Sequence, residues 1–214
     1  MKNRASIALA LGLTLTAPLA AVGPALDEGR LDPAWFDAEL EFRETDEIDY
    51  LWVAPGFSLE GHGLRFAPWP EPELLGPVGA KRDAKDRRLA KQLNATMPEL
   101  FAEAFGGAFG DRITVVDAGE DVRVEGRIVD CSTGATAAKV LVGFGAGAGS
   151  TTVDLKLVDA TSGALLVAIH HRAVSGTSFS TTDSKFARWA EEMAEEAAER
   201  GFERLYAKGD RVKE

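Results

Sequence analysis

The stretch from Val122 to Val174 reads as a strand-like run, a glycine-rich crossing and a hairpin, and in its strand-like parts apolar residues recur at every second position, the period of a strand with one face buried. Val153, Leu155 and Leu157 take one face there, and Asp154 and Lys156 take the other. Upstream, Val122, Val124 and Ile128 repeat the alternation, with Gly126 on the same face. After Val158 the run Asp159-Ala160-Thr161-Ser162-Gly163 supplies turn chemistry, so the next apolar run is read as a hairpin partner. Three antiparallel strands follow from this pattern. A fourth is expected over Ile48–Ala54, closed by Pro55-Gly56, and a short fifth over Arg112–Asp117, followed by a turn at Ala118-Gly119-Glu120.

Two stretches change period. From about Asp83, Leu89, Leu93, Met97, Leu100, Ala104 and Phe105 keep three-and-four spacing, the mark of one buried helical stripe. Pro98 interrupts it, so the helix either kinks there or restarts with Thr96 as cap and Glu99 completing a capping box. Gly106, Gly107 and Gly110 end it. The second helix is expected from about Ser184 to Tyr206, with Phe186, Trp189, Ala190, Met193, Ala197 and Leu205 on one face and glutamates elsewhere. Such a helix covers a sheet, and its Met and aromatic stripe is read as core. Prolines 68, 70, 72 and 77, with Gly76 and Gly79, make the stretch between the first strand and the first helix an extended surface connection. The basic residues around the first helix start, Lys81, Arg82, Lys85, Arg87, Arg88 and Lys91, are read as a solvated face.

The glycine run at residues 143–149 needs its own account. Gly143, Gly145, Gly147 and Gly149 alternate with Phe144, Ala146 and Ala148. A phosphate-binding loop needs Gly-Lys followed by Ser or Thr and then a helix, whereas here Ser150 opens a threonine-rich strand. Period-two glycine strips one face of an extended segment and lets another layer approach closely. A ligand-facing loop is the other reading, and Gly143, Phe144, Gly145, Gly147 and Gly149 are the candidate binding residues.

Composition narrows the function class. With 45% hydrophobic residues in 214, the chain can build one domain with a core. Its opening residues have the form of an export signal: Lys2 and Arg4, an apolar run from Ile7 to Leu15, then Pro18, Ala20 and Ala21, with cleavage expected after Ala21 or Ala25. That run is too short to span a bilayer. Val22 stands where a lipid-bearing cysteine would be, so no lipid anchor is expected, and the mature protein is read as periplasmic or secreted and soluble. Loss of Lys2 and Arg4 with the signal leaves 22 basic residues against 34 acids, moving the formal charge from −10 to −12. A chain this acidic repels nucleic acid. The acidic stretch 22–47 carries Trp35 and Phe36 and is read as a peripheral arm laying an aromatic pair against the body. Cys131 is the single cysteine, which rules out an internal disulfide; burial is the commoner state of a lone thiol.

Catalytic and metal motifs are scarce. His170 and His171 are adjacent, so in a strand they face opposite ways and cannot chelate one metal together. His62 stands alone in a glycine-flanked turn, and neither His-Glu-x-x-His nor a Gly-x-Ser-x-Gly elbow occurs. No cofactor or metal site and no catalytic residue is read. The enzyme alternative is a hydrolase acting on a cell-wall or lipid substrate, with His170 or His171 as base and a serine of the Ser175–Ser184 loop as nucleophile; a small-ligand carrier is a third reading.

The order EGRIVD, VGFGAG, a strand, the turn Asp159–Gly163 and a second strand resembles the uncharacterised bacterial family called domain of unknown function 4410. The likeness covers roughly Tyr50 to Tyr206, and its specific part is Gly126, the run Gly143 to Gly147, and Asp159 with Gly163. Members look like exported envelope proteins, often lipoproteins, and the resemblance implies an α/β layer fold and no established activity. The expectation is an α+β two-layer sandwich: an antiparallel or mixed sheet of about five strands with two long helices on one face, as a single domain over 48–208. The expected function is non-catalytic binding of another cell-envelope component.

Overall fold

The computed structural model describes residues 26–36, 40–134, 149–174 and 182–212. In chain order, single turns of 3-10 helix at Leu26–Gly29 and Pro33–Phe36 precede β1 (Arg43–Glu44), β2 (Tyr50–Val53), β3 (Gly63–Phe66), the one-turn α1 (Gly76–Gly79) and α2 (Ala84–Phe109). Then come β4 (Thr114–Val115), β5 (Val122–Ser132), β6 (Ser150–Asp159), β7 (Leu165–Val174), α3 (Thr182–Arg200), α4 (Phe202–Lys208) and β8 (Asp210–Arg211). The strands form one mixed sheet in the order β4-β3-β5-β6-β7-β2-β1-β8. β3 runs parallel to both β4 and β5, and the other pairings are antiparallel.

The fold class is thus mixed α+β, with eight strands among the described residues rather than about five. β4 lies within the short strand expected over Arg112–Asp117, and the three further strands, β1, β3 and β8, are two to four residues long, too short for an alternation to register. The long strands follow the pattern: Val122, Val124, Ile128, Val153, Leu155 and Leu157 all enter the main core. A bulge between Ile128 and Asp130 restores phase, so that Cys131 returns to the core side. The turn into β7 is held by Asp159 Oδ1, which accepts from the Thr161 and Ser162 amides and the Ser162 hydroxyl, while Gly163 adopts φ 74°.

α2 starts where the sequence places it. Asp83 is its cap, accepting from the Lys85 and Asp86 amides. It runs through Pro98 as one element to Phe109, and no second helix begins at Thr96, whose hydroxyl instead donates to the Leu93 carbonyl. The buried stripe is Ala90, Leu93, Met97, Phe101, Phe105 and Phe109; Leu89, Leu100 and Ala104 sit at its margin. The expected final helix is two, because Gly201 at φ 78° breaks it between Arg200 and Phe202. Phe186 and Trp189 of α3 meet Phe101 of α2 edge-on, and Ala190 and Met193 belong to the same main core.

The proline-rich connection continues β3 along the same edge of β5. The amides of Ala67, Glu73 and Leu75 donate to the carbonyls of Val124, Ile128 and Val129. Between these anchors it lays Trp69 over Gly126, where a Cβ would come within 2.3 Å of the indole ring. Gly126 is therefore required for close approach of an aromatic side chain.

The second sheet face is not open to solvent, which corrects the two-layer expectation. Leu31 and Phe36 pack there with Phe42 and Ala168 in a separate small cluster, flanked by Trp35, Tyr50, Trp52 and Leu165. The sheet thus carries α2 and α3 on one face and residues 26–36 and 40–42 on the other.

Candidate functional site

Alternation along β5, β6, β7 and β2 sends Arg127, Asp154, His170 and Tyr50 to the face under the N-terminal segment, and the register aligns them. Arg127 stands opposite Asp154, Asp154 opposite His170, and His170 opposite Tyr50, one residue from each of four adjacent strands. Arg127 Nε donates to Asp154 Oδ2 at 2.8 Å, and His170 Nδ1 lies 2.6 Å from Asp154 Oδ1. The Tyr50 ring meets the imidazole edge-on at 5.3 Å. Asp154 and His170 are fully buried.

The N-terminal segment closes this row from above. Asp27 Oδ2 lies 3.0 Å from His170 Nε2, so both ring nitrogens of His170 face carboxylates. Arg30, 2% exposed, donates to both oxygens of Asp27 and reaches Asp130 at 3.8 Å. Asp130 in turn receives a bidentate pair from Arg82 at 2.7 Å. Trp35 lies over the Arg127 guanidinium and the Lys156 ammonium, at 4.7 and 4.6 Å, and its carbonyl accepts from Lys156.

The charge state follows from these contacts. Burial pushes the His170 imidazolium toward losing its proton, but the hydrogen bonds and charges of Asp154 and Asp27 outweigh it, so His170 holds its proton to higher pH than a free histidine. Burial opposes ionisation of Asp27 too, yet Arg30 and His170 carry its carboxyl well below the ordinary range. A protonated imidazole between two carboxylates has no lone pair with which to abstract a proton. Its chemistry here is electrostatic: it ties β6, β7 and the N-terminal segment together.

His171 takes the opposite face, as adjacency in a strand requires. Its ring stacks on Trp189 at 4.2 Å and lies 3.1 Å from Asp49. His62 stands apart, 4.0 Å from Asp121. The structure therefore separates the three histidines, and among the described residues no group of three or more His, Cys, Asp or Glu side chains is arranged to hold a metal. Cys131 is buried, and burial raises its thiol to about 11. Gly149 is buried just ahead of β6, whereas Gly143, Phe144, Gly145 and Gly147 lie outside the described residues, as do Ser175, Ser178 and Ser180 of the proposed nucleophile loop. The export signal lies outside them too, and no described helix is long and apolar enough to cross a membrane.

Sequence reasoning placed Asp154 off the core face but did not recognise its cover. Arg82, assigned to a solvated basic face, is in fact paired with a buried aspartate. The available signal was a coincidence: charged residues inside β5, β6 and β7, together with an acidic segment bearing an aromatic pair.

No curated protein matches the chain. Among solved structures, the PelC dodecamer from Paraburkholderia phytofirmans is similar at 12% identity and TM-score 0.43, covering 68% of this chain and 92% of that one. Protein XCC0632 from Xanthomonas campestris, matched by the DUF330 family model, is similar at 10% identity and TM-score 0.40, covering 70% and 89%. The family model described as Domain of unknown function (DUF4410) matches residues 79–178. That stretch runs from the end of α1 to just past β7 and holds His170, Asp154, Arg127 and Asp130, so the resemblance to the DUF4410 family read from the sequence is matched over the strands that carry the site.

Proposed function

We propose that the protein is exported and acts without catalysis, by binding another component of the bacterial cell envelope. The observation that carries this reading is the edge of β7. β2 pairs with β7 only at Val167–His170, while β7 runs on to Val174. Past that pairing the Arg172 amide donates to the Asp49 side chain rather than to a strand, and Val174 is 48% exposed. An incompletely paired strand end with an apolar residue on it suits a partner segment that adds as a strand. Export is supported by the signal-like first residues.

The hydrolase reading gains nothing from the geometry. His170 has both nitrogens engaged and is buried, and His171 is stacked on Trp189. The test is affinity capture from envelope extracts with the wild type and Val174→Asp side by side. A specific partner held by the wild type and lost by the variant is expected. Equal capture by both, or no specific capture, overturns the reading. Mass spectrometry of the mature amino terminus checks export, with cleavage after Ala21 or Ala25 expected.

A further inference from the structure

The face beneath residues 26–36 has the make-up of a peptide-binding surface that already holds a ligand. Its floor offers two cations, Arg127 and Lys156, the His170 imidazole, and the apolar surfaces of Ala168, Trp52 and Leu165. The segment on it supplies the complement: Asp27 to His170, Asp32 to Arg127 at 3.6 Å, Trp35 over both cations, and Phe36 buried at 1% exposure. We propose that residues 26–36 are an exchangeable strap, an internal ligand on a face whose outside partner is an acidic segment carrying an aromatic pair, delivered by another chain.

Three features argue that the strap is exchangeable. Its apolar contacts form their own cluster, apart from the core shared by α2, α3 and the sheet, so lifting it leaves that core intact. Asp27 and Glu28 hold φ of 42° and 55°, left-handed backbone that non-glycine residues adopt under strain, and the strain is relieved on release. The strap also leaves the face incompletely filled. A groove of about 450 Å³ runs beside Phe36 along Lys156 and Leu165, and one of about 240 Å³ lies beside Leu26, Phe42 and Tyr50. An incoming segment has a place to start before the strap has left.

Charge sets when the strap holds. His170 is faced by Asp154 from β6, by Asp27 and Arg30 from the strap, by Tyr50 from β2 and by Asp49 ahead of β2, with Arg127 of β5 behind Asp154. Asp27 is the one strap carboxylate that touches the imidazole, so its removal unlatches the strap while Asp154 remains on the other ring nitrogen of His170.

The test uses the full-length protein and a fluorescein-labelled synthetic peptide of residues 26–36, read by anisotropy near neutral pH, with amide exchange of the strap followed in parallel. The wild type binds the peptide weakly, because its own strap competes at high effective concentration. Asp27→Asn, and independently Phe36→Ala, speed strap exchange and tighten peptide binding by about tenfold or more. A peptide with Trp35 and Phe36 replaced by alanine does not bind. Three results overturn the proposal: neither variant speeds strap exchange beyond that of the α2 amides, the strap exchanges but the peptide stays unbound, or the variants unfold throughout. The β7 edge is untouched by these variants, so loss of envelope capture in Val174→Asp is scored separately.

Discussion

His170 Nδ1 and Asp154 Oδ1 lie 2.6 Å apart, across directly opposed positions of β7 and β6 and without solvent exposure. The pair is the centre of a charge network that Arg127 extends from β5 and that Asp27 and Arg30 extend from the N-terminal segment.

Stability should fall on both sides of a plateau. His170 has a raised folded value, so its contribution is complete below the unfolded value of about 6.5 and is lost as pH rises through the folded one. Asp27 has a lowered folded value, so its contribution is present above the unfolded value of about 3.9 and fades as pH falls through the folded one. Urea unfolding measured from about pH 4 to pH 10 should show the alkaline decline in the wild type, and His170→Gln should flatten it. An unchanged alkaline limb in that variant would place the titration elsewhere.

Asp130→Ala should destabilise by about 3–5 kcal/mol, because it strands the Arg82 guanidinium and removes a neighbour of buried Arg30. Asp130→Asn keeps the shape and should cost less. Denaturant midpoints with unchanged slopes check both.

Gly126→Ala should cost about 1–3 kcal/mol, since the new methyl meets Trp69 ring carbons at 2.3 Å and that ring is itself stacked on Phe101. The coupling is specific: in a Trp69→Ala background the same substitution should be close to neutral, as a double-mutant cycle would show.

Cys131 should resist alkylation in the folded protein at neutral pH. Burial excludes the reagent and raises the thiol to about 11, which keeps it protonated. Iodoacetamide labelling in urea against buffer, read by mass, gives the comparison: full modification unfolded and little modification folded. Rapid labelling of the folded protein would contradict this burial.

Much of the frame was readable in the chain. Val153, Leu155 and Leu157 announce a strand by period alone, Asp159 to Gly163 announces its turn, and Asp83 announces the start of α2, because each reports a preference satisfied within a few residues. Adjacency likewise put His170 and His171 on opposite faces. β1, β3 and β8 were hidden, since two to four residues carry no periodicity, and Gly201 broke the last helix within an unbroken apolar stripe.

What the sequence determined by itself was local: which segments are strands or helices, which residues turn to the core, and that one face of the long strands carries charge. The tertiary structure decided what that charge meets. Arg127, Asp154 and His170 became neighbours through strand register, and Asp27 joined them from 143 residues away through packing of the N-terminal segment. An exposed and a buried aspartate look alike in a sequence, because burial is conferred by distant parts of the chain.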